Sequence, residues 1–267
     1  MIVAIGSLQR EAIGIIRSGE YEPVDDVPED FIAYRPISDG SPAIVLSGSG
    51  SERAKRATQW AVDYFSPDAI ISFGFCGATR DHARSGDIII AARVMDLPGT
   101  PFEWSIVDDT NSLGPDRTML LAARTAVEVS GLDFYHGTIV TVSKVATTSG
   151  TKRWLGDAVN ASAVDTEAHA IADVATKSGT PWAAVACVLD DRDFDAPAIV
   201  NRIGFGPNER GLIAYLRHVV NTPVDIPALL KLGKSSTRAS ASLTTFMGAF
   251  MDAYTAITVV VDSPESD

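Results

Sequence analysis

The chain has 267 residues, a formal net charge of −12 and 46% hydrophobic residues. That length carries a core which needs no disulfide or metal staple, and the composition excludes a disordered chain. The acidic balance excludes the basic stripe that nucleic acid binding requires, so no nucleic acid partner is expected. Cys76 and Cys187 lie far apart in apolar surroundings and read as reduced thiols of a cytoplasmic protein. The four histidines form no metal-ligand spacing, and no metal is expected. The opening run Met1–Ile5 is too short for a signal peptide, and the late apolar run 256–261 is too short for a membrane span. The expectation is a soluble protein without stable membrane insertion.

In chain order, Met1–Gly6 is an apolar run closed by glycine, a buried parallel strand. A helix over Gln9–Arg17 follows, then a polar, Pro-containing loop over about 20–42 and a strand at Ala43–Leu46. Ser47-Gly48-Ser49-Gly50 leads into a helix over Ser51–Phe65, with Ser51 as its N-cap. Ala69–Phe73 is a third strand, closed by Gly74-Phe75-Cys76-Gly77-Ala78, and Gly86–Val94 a fourth. Residues 95–114 read as loop, Arg117–Ser130 as helix, His136–Ser143 as strand, Glu167–Ser178 as an alanine-rich helix and Trp182–Leu189 as strand. After Pro197 the pattern is helical to about Thr255, apart from a break at Pro223–Pro227. The expected architecture is a single α/β domain over 1–267: a mixed, largely parallel twisted sheet flanked by helices, with a helical extension over 197–256. Ligands in such folds sit beyond the carboxyl ends of the strands, here marked by Gly6, Gly48/Gly50, Gly74/Gly77 and Asp190.

Glycines between a strand and a helix let backbone N–H groups approach an anion. The loop 47–51 has that form, but it matches neither a P-loop nor a dinucleotide fingerprint and reads equally as a tight turn. Cys76 reads as a buried structural thiol, since no basic side chain adjoins it in sequence. Glu11 and Glu167 each read, taken singly, as first-turn acids that suit a helix dipole. Asp190 and Asp191 end an apolar strand at the ligand end of the sheet, where a carboxyl drawn out of water can serve as a general acid. Together these acids stand at separate points along one sheet rim.

Gly6–Glu11, Ser47–Gly50, Gly74–Ala78, Ser85–Ile89, Val164–Ala168 and Trp182–Asp190 follow one another as in the purine nucleoside phosphorylase/nucleosidase superfamily, which the chain resembles over about residues 1–195. Residues 197–256, with Pro223 and Pro227–Leu230, resemble the tail of the hopanoid-associated nucleoside phosphorylases, a branch proposed to release adenine from adenosylhopane. The resemblance implies cleavage of an adenosine-type N-glycosidic bond, with Asp190 protonating the departing purine and Glu11 orienting an attacking water. It implies nucleoside contacts from Glu167 to the ribose hydroxyls and from Thr166, Phe75, Gly74 and Leu189, and a phosphate site at Arg10, Gly6, Gly48, Ser49 and Gly50. No cofactor is implied; phosphate or water is the nucleophile, and a homodimer is expected. The chain departs from the family pattern at Ser72, Phe75, Thr166, Ala186 and Leu189, where arginine, serine, methionine, arginine and serine are usual. The alternatives are a methylthioadenosine/adenosylhomocysteine nucleosidase and a catalytically silent nucleoside-binding protein. Under the adenosylhopane reading, an apolar groove is expected from Leu97–Trp104, Phe194 and Ile203–Phe205.

Overall fold

A short run of apolar residues buried on both sides suits the inside of a layered sheet, and among the described residues several segments have that character. In the computed structural model, which describes residues 1–99, 111–197 and 226–262, they are β1 (Ile2–Gly6), β4 (Ala43–Leu46), β5 (Ala69–Ala78), β6 (Ile88–Leu97) and β10 (Trp182–Asp190). Along β1 the side chains alternate between two cores: Val3 and Ile5 face one, Ile2 and Ala4 the other. Helices α2 (Ser51–Phe65) and α5 (Ala168–Ser178) cover the first core with alanines, whose small side chains allow a close approach. Helices α1 (Gln9–Ser18), α3 (Arg117–Ser130) and α6 (Ile226–Asp262) cover the second. Along α6, Ala239, Leu243, Phe246, Met247 and Phe250 are buried at helical spacing and form its core-facing stripe.

With β2 (Tyr21–Pro23), β3 (Ile32–Pro36), β8 (Phe134–Val142) and β9 (Ala161–Asp165), the strands are hydrogen-bonded in the order β10-β6-β8-β9-β5-β1-β4-β3-β2, and β10 also pairs with β5. Five strands therefore close on themselves, with β8 and β9 completing the ring, while β1 and β4 extend from it. β5 belongs to both parts. It pairs parallel with β10 over most of its length, with β1 only over residues 69–72, and antiparallel with β9 only at Gly77 and Ala78. Between Ser72 and Gly77 the β1/β9 side of β5 has no strand partner. That gap is where the site forms.

The expected α/β fold and its C-terminal helix are present. Three details differ. The loop expected over 20–42 contains β2 (Tyr21–Pro23) and β3 (Ile32–Pro36), which extend the sheet antiparallel to β4. Both are short, half-exposed strands ending at proline, β2 at the sheet edge and β3 between it and β4, so they lack a continuous apolar run. The loop expected over 95–114 contributes the end of β6 and the two-residue β7 (Ser112–Leu113). Helix α4 (Ser149–Ala158) and β9 have no counterpart among the expected elements. α4 buries a lysine and two glycine positions interrupt its pattern, while β9 is built mainly from alanine and serine. Gly50 rather than Ser51 is the N-cap of α2, and the Ser51 hydroxyl instead donates to the Thr166 carbonyl at 3.0 Å. Pro227 falls in the first turn of α6, where a missing N–H costs nothing, and α6 continues past Thr255. Residues 198–225 of the expected extension, including Ile203–Phe205, lie outside the described residues, as does the 100–104 part of the expected groove. Among the described residues no helix is long and apolar enough to cross a membrane.

α4 docks on the ring through Gly156: a Cβ there would stand 2.3 Å from the Thr79 backbone oxygen. The Gly156→Ala exchange gains about 1 kcal/mol of helix propensity, yet it drives α4 off a carbonyl that cannot rotate away. The expected net effect is a loss of about 1–2 kcal/mol in urea unfolding. Stability equal to the parent would contradict this packing.

Candidate active site

Glu11 is the third residue of α1 and is 2% exposed. Its Oε2 accepts from the backbone N–H groups of Ser7 and Leu8, both at 2.8 Å, which otherwise go unpaired at the start of a helix. Its Oε1 accepts from the Phe75 N–H at 2.9 Å, the amide left open in the gap along β5. The Ser7 hydroxyl donates to both oxygens at 3.2–3.3 Å. The carboxylate thus bridges the ends of β1 and β5. Gly74 is required beneath it, since a Cβ there would lie 3.0 Å from Oε1. Burial pushes the Glu11 carboxyl up, outweighing the hydrogen bonds from Leu8, Phe75 and Ser7 that pull it down.

Glu167 stands at the N-cap of α5. Its Oε1 accepts from the Gly50 N–H at 2.6 Å and from the Thr166 hydroxyl at 2.5 Å. Gly50 has φ +109°, a conformation open to glycine that turns its amide towards Glu167. Asp165 lies below, accepting from the Thr141 hydroxyl at 2.6 Å and from the Ala168 N–H at 2.8 Å. Burial raises Asp165 to about 7, with the charge of Glu167 adding to the rise. Burial likewise raises Glu167 to about 7, against its hydrogen bonds from Thr166 and Gly50.

Asp190 ends β10. Its Oδ2 meets the Lys152 ammonium from α4, and Lys152 also donates to the Asp191 carbonyl at 2.6 Å. Lys152 is fully buried, whereas the Asp190 side chain keeps 13% exposure. Burial raises the Asp190 carboxyl, and Lys152 opposes the rise. Asp191 points elsewhere, accepting from the Ser85 N–H at 3.1 Å and pairing with Lys231 of α6 at 3.7 Å.

These groups surround one cavity of about 300 Å3. Of the residues expected at a site, Asp190, Glu11, Glu167, Thr166, Phe75, Leu189, Arg10 and Ser49 line it. Gly74, Gly6, Gly48 and Gly50 do not line it. The Ser47 and Gly48 amides donate to the carbonyls of Gly6 and Ser7 at 2.9 Å, and the Gly50 amide to Glu167. Arg10 is exposed at the rim. Cys76 lines the cavity at 4% exposure, and burial pushes its thiol well above the ordinary range, which keeps it unreactive. Among the described residues no cluster of three metal-ligating side chains occurs.

Sequence reasoning missed Lys152, Asp165 and the walls supplied by Val145, Ala146 and, from α6, Leu229, Leu232, Gly233 and Ser236. Lys152 shares its helix face with Leu155 and Gly156, all three buried, and no apolar stripe in the sequence marks that face.

A family model for the phosphorylase superfamily matches residues 2–208. The chain belongs to that superfamily. The 5′-methylthioadenosine/S-adenosylhomocysteine nucleosidase of Shewanella sediminis is 27% identical over 201 residues, covering 72% of this chain and 87% of that protein. The enzyme of the same name from Geobacillus thermodenitrificans is 29% identical over 200 residues, covering 71% and 84%. Among solved structures, the nucleosidase of that name from Neisseria meningitidis in complex with methylthio-immucillin-A superposes with a TM-score of 0.69 at 20% identity, covering 93% of this chain and 97% of that one. Futalosine hydrolase of Helicobacter pylori gives 0.67 at 14% identity, covering 92% and 96%. The superfamily match bears out the resemblance read from the sequence, and the nucleosidase relatives bear out the expected enzyme class. Both curated relatives bear the nucleosidase name, and these matches do not confirm the hopanoid-associated branch.

Glu11, Asp165, Glu167 and Asp190 all bind a proton more tightly in the fold than in the unfolded chain. Their contribution to stability is complete below the ordinary carboxyl range and is lost as pH rises through about 7 for Asp165 and Glu167. The thermal midpoint is therefore expected to be higher at about pH 5.5 than at about pH 8. Glu167→Gln keeps an oxygen for Gly50 and Thr166 but removes one titration, so it should narrow that difference. An unchanged difference would refute the burial account of Glu167.

Proposed function

We propose that the protein hydrolyses the N-glycosidic bond of an adenosine carrying a small 5′ substituent, in the manner of the methylthioadenosine/adenosylhomocysteine nucleosidases. That reading, ranked second from the sequence, has more support than adenosylhopane: the curated relatives are nucleosidases of that name. The cavity wall formed by Val145, Ala146, Leu229 and Leu232 suits a compact apolar group.

The observation that carries the proposal is the position of Glu11. Its carboxylate occupies the amides of Ser7, Leu8 and Phe75, and Glu167 occupies that of Gly50. Backbone donors that could cradle a phosphate are already committed to fixed carboxyl groups of the protein itself, which leaves those amides unavailable to a phosphate dianion. Water meets no such barrier. The phosphate site implied for Arg10, Gly6, Gly48, Ser49 and Gly50 therefore has less support than hydrolysis.

In this mechanism Glu11 takes a proton from water as its oxygen bonds to C1′. The raised affinity of the buried carboxyl for a proton makes it a stronger base than an exposed glutamate. Asp190 gives a proton to the imidazole nitrogen of the purine as the bond to C1′ breaks and its electron pair leaves with the base. Glu167 holds the ribose hydroxyls so that water and base lie on opposite faces of the sugar. Phe75 takes part through its backbone N–H, and that contact does not need a serine side chain. Ser72 and Ala186 are buried strand residues off the cavity wall, so their departures from the family pattern leave these roles intact.

The test is release of adenine from methylthioadenosine and from adenosylhomocysteine. Both are expected to be cleaved, and Asp190→Asn should lower kcat by at least about 100-fold, the lower end of general acid catalysis. Failure to release adenine from either nucleoside, or an Asp190→Asn variant retaining a tenth of the rate, would overturn the proposal.

A further inference from the structure

The bulkiest of the fully buried side chains among the described residues belongs to a charged residue, Lys152. Its ammonium meets Asp190 Oδ2, donates to the Asp191 carbonyl at 2.6 Å and lies 5.9 Å from the centre of the Phe194 ring. Its stem runs across Gly77, where an added Cβ would crowd the Lys152 Cδ at 3.3 Å. Asp190 Oδ1 lies 3.7 Å from the same position, on a residue that lines the cavity. Lys152 thus grips one carboxyl oxygen and leaves the other beside the cavity. A buried lysine–aspartate pair adds little net stability over an apolar pair of similar volume, so stability alone gives a weak reason for its presence.

We propose that Lys152 is a positioning residue for the reaction: it aims Asp190 Oδ1 at the departing base and stabilises the carboxylate that Asp190 becomes when it gives up its proton. This rests on the reading of Asp190 as the general acid. As the C1′–N9 bond breaks, its electron pair stays with the purine and the proton on Asp190 Oδ1 moves to the imidazole nitrogen. Water oxygen bonds to C1′ and its proton passes to Glu11. The charge left on Asp190 already has Lys152 against Oδ2. Without that cation, a carboxyl in this surrounding would hold its proton too tightly to release it at a useful rate.

The charged and titratable groups around Asp190 are Lys152 from α4, Lys231 from α6, its neighbour Asp191 and the Cys76 thiol on β5, with Asp165 and Glu167 on the same cavity wall. Of these, Lys152 alone has its ammonium against an Asp190 carboxyl oxygen.

The test uses Lys152→Met, Asp190→Asn and the double variant, followed by adenine release from methylthioadenosine and by thermal unfolding. Lys152→Met is expected to lower kcat at least about tenfold with KM within about threefold, a loss confined to the chemical step. Because Lys152 favours the ionised form of Asp190, its loss should move the alkaline limb of the kcat profile to higher pH. The double variant, which buries no unpaired charge, should fold and release adenine no more slowly than Asp190→Asn. A Lys152→Met enzyme with parental kcat and an unmoved limb would overturn the inference. So would a double variant slower than Asp190→Asn by the factor that Lys152→Met costs the parent. If Lys152→Met does not fold, Lys152→Gln, which keeps a donor for Asp190 but no charge, takes its place: a moved alkaline limb is expected, and parental kcat with an unmoved limb would overturn the inference. An Asp190→Asn enzyme with the parental rate would remove the reading of Asp190 itself, an outcome distinct from a harmless Lys152→Met.

Discussion

The site depends on placing several carboxyl groups in a cavity without leaving any of them unsatisfied. An isolated ionised carboxylate away from water is very costly, and in practice such a group is hydrogen-bonded, paired or protonated. Each acid here has a different arrangement. Glu11 takes three backbone N–H groups, Glu167 one N–H and a hydroxyl, Asp165 a hydroxyl and the first amide of α5, and Asp190 a lysine ammonium. Because the partners differ, the groups respond differently to charge in a bound molecule. The acid beside a cation is suited to releasing a proton, and the acid held by neutral amides to accepting one.

The fold supplies those partners through the way β5 changes neighbours. A strand paired along its whole length would have no free amide to offer. β5 leaves β1 at Ser72 and meets β9 at Gly77, and the Phe75 N–H between them reaches Glu11. The same shift brings β9 and the start of α5 next to the β4–α2 loop, so that Glu167 meets Gly50. Closure of the ring through β10 sets Asp190 beside α4, and α6 spans the second core and adds Leu229, Leu232, Gly233 and Ser236 to the cavity wall.

Much of this was legible in the sequence. The apolar runs that become β1, β4, β5 and β10 reach a glycine or an aspartate within two residues of their ends, and their order along the chain carries the superfamily resemblance. Glu11, Glu167 and Asp190 stood out as acids at strand or helix ends. Their partners did not. A carboxylate read as a first-turn acid is indistinguishable in sequence from one folded back onto a neighbouring strand's amide, because Phe75 is 64 residues from Glu11. The glycine loop, which reads equally as an anion cradle or a tight turn, has its Ser47, Gly48 and Gly50 amides spent within the protein, which periodicity cannot reveal. Lys152 lay in a helix that the apolar pattern failed to mark, since its inward positions are lysine, leucine and glycine rather than a hydrophobic stripe.

The central claim is that the amide-held Glu11 carboxylate serves water as the nucleophile, and that phosphate does not take that place. It is tested most directly by running the cleavage of methylthioadenosine in oxygen-18 water with inorganic phosphate present, and identifying the sugar by mass spectrometry. The account predicts free methylthioribose carrying one oxygen-18 at C1. Methylthioribose 1-phosphate as the product would contradict it.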